Sequence, residues 1–130
     1  MTPLLQPVNT QNAPAPIGPY SQAIRTSGLI FLSGQVALDP KTGEMKNTGS
    51  IEDETLQVLK NMRAVLLEAG LDFANIAKTT IFLTDMKDFP AVNKIYEEQM
   101  GSARPARSTV QVSALPKGAR VEIECIAVTG

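Results

Sequence analysis

Arg120-Val-Glu-Ile-Glu-Cys-Ile-Ala-Val128 alternates along its whole length. Val121, Ile123, Cys125 and Ala127 share one face; Arg120, Glu122, Glu124, Ile126 and Val128 share the other, which is the two-residue period of a strand. The first face is apolar throughout and needs a cover. The second carries Ile126 and Val128 beside its charges and is too apolar to face water alone.

The cover for the first face lies upstream. Ser50 is placed to cap a helix, Glu52, Asp53 and Glu54 put negative charge in its first turn, and Gly70 ends it. Leu56, Leu59, Met62, Val65, Leu66 and Ala69 form its apolar stripe. A second helix is expected from about Asp88 to Gly101, with Pro90 tolerated in its first turn and a stripe of Phe89, Val92, Ile95, Tyr96 and Met100. Between them Ile76 to Thr84 reads as a strand, with Ala77, Thr79, Ile81 and Leu83 on one face. In Arg107 to Val112, Ser108, Val110 and Val112 share one face and Arg107, Thr109 and Gln111 the other. Ser27-Gly28 is a turn between Ala23–Thr26 and Leu29–Leu32, and 39–43 is a second loop. The first ~20 residues, with Pro14, Pro16 and Pro19, read as an ordered extended arm leading to Tyr20.

This order of elements gives an α+β layer, a mixed sheet with both helices on one face. If the helices cover the Val/Ile faces, Arg107, Thr109 and Glu122 all project from the uncovered side. That side needs burial, and the simplest cover is another copy of the chain.

Composition narrows the function. The 130 residues, 43% hydrophobic, suffice for one domain, 1–130, with one core. A net charge of −1 offers no field for a phosphate backbone, so nucleic acid is not an expected primary partner. With no histidine and only Cys125, there is no Ser-His-Asp triad, no Cys-His pair and no usual zinc set. The chemistry therefore falls to carboxylate, hydroxyl, guanidinium or backbone groups, with no cofactor or metal expected. No membrane-length apolar run and no signal-peptide pattern is present, and the lone cysteine has no disulfide partner, so a cytoplasmic protein is expected.

Four segments, Asn12-Ala-Pro-Ala-Pro-Ile-Gly-Pro-Tyr-Ser-Gln22, Leu32-Ser-Gly-Gln35, Arg104-Pro-Ala-Arg-Ser108 and Val121–Val128, occur in an order and register that resembles the RidA family, also called YjgF, of small enamine/imine deaminases. The resemblance implies a chorismate-mutase-like fold of the bacillus type. It implies homotrimers with a central β-barrel and active sites in clefts between subunits, and 2-iminopropanoate/2-iminobutanoate deaminase activity on small imino acids. Pattern alone gives "oligomer"; "trimer" comes from the resemblance.

The same resemblance assigns residues. Arg107 has a planar fork that suits a carboxylate, yet pattern alone favours a solvated arginine or one paired with Glu122 or Glu124; the match of 104–108 to the family's substrate-arginine motif is what implies a carboxylate anchor. Glu122 by pattern is an ordinary strand glutamate. The family's acidic residue falls on it, which makes it the group that positions or deprotonates water, with Glu124 on the same face as fallback. Tyr20 closes the cleft, Ser33 and Gly34 contact substrate, and Asn93 matches an asparagine near the site. Thr109 stands where many members carry cysteine; main-chain contact survives that exchange, whereas thiol chemistry does not. Two other classes stay open: a non-catalytic metabolite-binding or chaperone-like trimer, and an endoribonuclease acting on translation-related RNA. Against the second stand the absent histidines and the lack of a basic, aromatic surface.

Overall fold

The computed structural model describes residues 4–129, so the first three residues of the arm lie outside it. Strands β1 (Gln6–Val8), β2 (Ala23–Thr26), β3 (Leu29–Gln35), β4 (Ile76–Leu83), β5 (Ala106–Gln111) and β6 (Val121–Val128) form one mixed sheet in the order β1-β2-β3-β6-β4-β5. The alternating strand β6 lies at its heart, antiparallel to β3 on one side and to β4 on the other. β4 and β5 run parallel, which requires a crossover between them. Helix α2 (Phe89–Met100) supplies it; helix α1 (Ile51–Glu68) packs beside α2 on the same face.

The core is the layer between helices and sheet. Leu59, Met62, Val65 and Leu66 of α1 are buried against Ile81, Leu83, Ile123, Cys125 and Ala127, as the two alternations require. Ser50 caps α1 by accepting the Asp53 N–H at 3.0 Å. Glu54 lies in the first turn as expected and has a further role. It is fully buried, and its two oxygens accept the backbone N–H and the Nε of Arg120, each at 2.7 Å. The start of α1 is thereby fastened to the start of β6.

The arm is ordered, as expected, but it also contributes β1, an edge strand too short to show alternation, whose outer position admits Pro7. Gln22 pins the rest. Buried at 2% exposure, its side chain accepts from Thr10 N–H at 2.6 Å and donates to the carbonyls of Thr10, Ala13 and Pro14.

Two face assignments need correction. In β4, a register shift between Ile76 and Lys78 turns Ala77 outward and Ile76 into the core; only Thr79, Ile81 and Leu83 hold the expected face. More consequentially, β5 presents the opposite face from the expected one. Arg107 pairs with Thr79, Thr79 with Cys125, Thr109 with Ile81 and Ile81 with Ile123, so Arg107 and Thr109 lie on the helix-bearing side. Val110 pairs with Phe82, and Phe82 with Glu122, so these three occupy the uncovered side. The valine was a misleading marker because the uncovered face is itself apolar: Phe31, Val110 and Val128 are 40–42% exposed on it.

Candidate active site

Arg107 projects from β5 under α2. Its Nη1 donates to Asn93 Oδ1 at 2.7 Å, and its guanidinium carbon lies 5.4 Å from the Phe89 ring centre and 5.0 Å from that of Tyr96. Three helix residues thus fix the aim of an exposed strand arginine and leave its remaining N–H groups free for an anion. The periodicity of α2 explains the set. Phe89, Asn93 and Tyr96 fall at spacings of four and three and share one side of the helix.

Tyr96 shares a 2.7 Å hydrogen bond with Thr79 beneath it. Burial raises its pKa, outweighing the Thr79 hydrogen bond and the opposing pull of Arg107 and Arg104, so the ring stays a neutral wall. A cavity of ≈410 Å³ opens beside Arg107, lined also by Asn93, Tyr96, Glu97, Arg104 and the turn Ala103-Pro105. This size falls in the ordinary range for small-ligand sites. Thr109, two residues on, has a buried hydroxyl oxygen without a hydrogen-bond partner among the described residues.

Glu122 is on the other side of the sheet. Ser33 and Gly34 sit in a β-bulge, where three steps of β3 from Leu32 to Gln35 oppose two of β6 from Cys125 to Ile123. The Glu122 carboxylate lies over the bulged glycine: a methyl group there would come within 2.8 Å of Glu122 Cδ and Oε2. Desolvation, and then the neighbouring Glu124, raise the Glu122 pKa above the usual carboxylate range. A carboxyl group tuned in that direction is better suited to take and return a proton.

Ser33 reaches sideways. Its hydroxyl donates to Ser21 O at 2.6 Å, and its N–H donates to Gln22 O at 2.9 Å. It thus holds the segment carrying Tyr20, whose half-exposed ring borders a small cavity with Gly34, Gln35 and Val36. Glu124 is exposed on the same face as Glu122. The sequence-predicted residues therefore form two groups on the two faces of the sheet, Arg107 and Asn93 with Thr109 on one and Glu122, Gly34 and Ser33 on the other, while Tyr20 borders a small cavity beside Gly34. The pattern gave no sign of the ring pair Phe89 and Tyr96 as supports for Arg107. Their place in the helix stripe marks them as core, and only the β5 register brings the arginine to them.

A two-helix layer on a mixed sheet, with an arginine cleft on one side and a glutamate over a bulged glycine on the other, defines a small α+β domain with a divided polar site. Residues 10–129 match the sequence model of the family described as Endoribonuclease L-PSP, and the chain belongs to that family. It is 51% identical over 123 residues to the Mus musculus 2-iminobutanoate/2-iminopropanoate deaminase, covering 95% of this chain and 90% of that one. It is 52% identical over 120 residues to the chloroplastic Reactive Intermediate Deaminase A of Arabidopsis thaliana. That match covers 92% of this chain and 64% of the Arabidopsis protein, just under two thirds of its length. Among solved structures, YyfA of Yersinia pestis, from the conserved Rid protein family, superposes with a TM-score of 0.93 at 51% identity, covering 96% of this chain and 99% of that one. No helix among the described residues is long and apolar enough to cross a membrane.

Proposed function

We propose that this chain is a hydrolytic deaminase of reactive enamines and imines, converting 2-aminoacrylate/2-iminopropanoate and 2-iminobutanoate to 2-oxoacids and ammonia. The observation that carries this reading is the division of the site. Arg107 and Glu122 lie on opposite faces of one sheet, and the Glu122 face exposes Phe31, Val110 and Val128 as though made to receive another copy. A homotrimer with its sheets facing a central barrel would set the Arg107 cleft of one subunit against the Glu122 bulge of the next. The names of the mouse and Arabidopsis relatives support the same chemistry.

The mechanism follows from the groups available. The free N–H groups of Arg107 hold the substrate carboxylate, with Asn93 and the two rings fixing the fork. Main-chain groups at Gly34 and Thr109 orient the imine, and Tyr20 closes over it. Glu122 takes a proton from water as its oxygen attacks the imine carbon, then returns that proton to the nitrogen. Collapse of the carbinolamine breaks the C–N bond; imine plus water gives ketone plus ammonia. Since the uncatalysed reaction already proceeds in water, positioning and one polarised water suffice.

The test is to generate 2-aminoacrylate with a pyridoxal-phosphate dehydratase acting on serine and follow pyruvate formation. The rate of pyruvate release should rise in proportion to added protein. No acceleration by the assembled protein would overturn the reading.

A further inference from the structure

Arg107 is not the only guanidinium in its cavity. Arg104 lines the same ≈410 Å³ space from the turn after α2. Its Nη1 donates to Gly101 O at 2.8 Å and to Ala103 O at 2.7 Å, so it is held at the rim while its other N–H groups are unspent. Both arginines also bear electrostatically on the Tyr96 hydroxyl. A small ligand seated on Arg107 therefore lies in the same cavity as the second guanidinium.

From these observations we infer that Arg104 is a specificity-determining residue, and that the cleft accepts imino acids bearing a second carboxylate on the side chain, gripped by Arg107 at the α-carboxylate and by Arg104 at the distal one. The inference rests on the deaminase reading above and deepens it by naming a substrate class. Two guanidinium groups in one cavity carry more charge than a single monoanion can pair, so the second is left without a charge-assisted partner. Glu97 also lines the cavity and opposes a second anion. It forms no ion pair with Arg104 among the described residues, and both side chains are exposed; Arg104 is the one fixed at the rim, by the Gly101 and Ala103 carbonyls.

The probes are stable 2-oxoacids titrated calorimetrically into the assembled protein: 2-oxobutanoate as monoacid and 2-oxoglutarate as diacid. The diacid should bind about tenfold more tightly, the scale of one added charge-assisted contact. Arg104→Gln should bring the diacid-to-monoacid ratio close to one, Arg104→Lys should restore part of it, and Glu97→Gln should raise it. A wild-type ratio at or below one, or a ratio unmoved by Arg104→Gln, overturns the inference while monoacid binding leaves the deaminase reading standing. Binding of neither acid, together with no acceleration of 2-aminoacrylate hydrolysis, removes both.

Discussion

The Glu122 carboxylate occupies the space that any side chain at Gly34 would need: a methyl there would meet Glu122 Cδ and Oε2 at 2.8 Å and Cγ at 3.0 Å. The glycine is thus required by the glutamate and not by its own backbone, since its φ lies outside the left-handed region. Gly34→Ala should push the Glu122 carboxylate aside and slow imine hydrolysis by tenfold or more. Its melting temperature should change little, because the obstructing atoms are the far end of a flexible side chain. Kinetics beside thermal melts check this; wild-type turnover in the variant would separate Glu122 from the reaction.

Glu122 also sets a pH dependence. Its pKa is raised in the folded state, chiefly by burial and then by Glu124, so the folded chain holds a proton that the unfolded chain has released. Between the unfolded pKa of about 4.3 and the higher folded value, the native state binds more protons, and stability falls as pH rises. Glu122→Gln removes that penalty. The variant should melt higher than the parent at neutral pH, and the gain should vanish below the unfolded pKa. The parent's activity should fall on its acid limb at a pH above that of an ordinary carboxylate.

Much of this was legible in the residues, and the failures have identifiable causes. The β6 alternation, the Ser50 cap and most of the α1 stripe are strong because each is set by local geometry or by one buried face, although Leu56 is only half-buried and Val58, not in the expected stripe, is in the core. The faces of β5 were not legible, because Val110 and Val112 resemble core valines and the strand is at a sheet edge whose register with β4 is set by a long crossover. The same ambiguity hid the support of Arg107 by Phe89 and Tyr96. Glu54 was read correctly as a first-turn acid, but its burial was not legible, because only Arg120, 66 residues away, makes that glutamate a buried partner.

Arg107→Lys keeps the charge and loses the fork. It also loses the geometry shared with Asn93 and the two rings. A charge-assisted contact of this kind is worth ~1.5–3 kcal/mol, so kcat/KM should fall roughly tenfold to a hundredfold. Asn93→Ala should act in the same direction but less, mainly through KM, because it frees the arginine without removing it.

Cys125 faces the helices, is almost fully buried, and has its thiol pKa pushed up to about 12, first by burial and then by Glu124. A thiol reagent at neutral pH should label it slowly in the native protein and rapidly after denaturation. Fast native labelling would contradict the face on which Glu122 is placed, because the two residues alternate on one strand.

The proposed division of the site between two copies admits a test by complementation. Arg107→Ala and Glu122→Ala chains should each be inactive alone, since every cleft lacks one of its groups. Denatured together in equal amounts and reassembled, they should regain activity. In a cyclic trimer a cleft is whole only when its arginine comes from a Glu122→Ala chain and its glutamate from an Arg107→Ala chain, so random mixing should restore about one quarter of the wild-type rate. Light scattering must first find the same assembly for parent, variants and mixture. If Arg107 and Glu122 served one cleft from the same subunit, no mixed assembly would contain an intact pair, and the mixture would remain inactive.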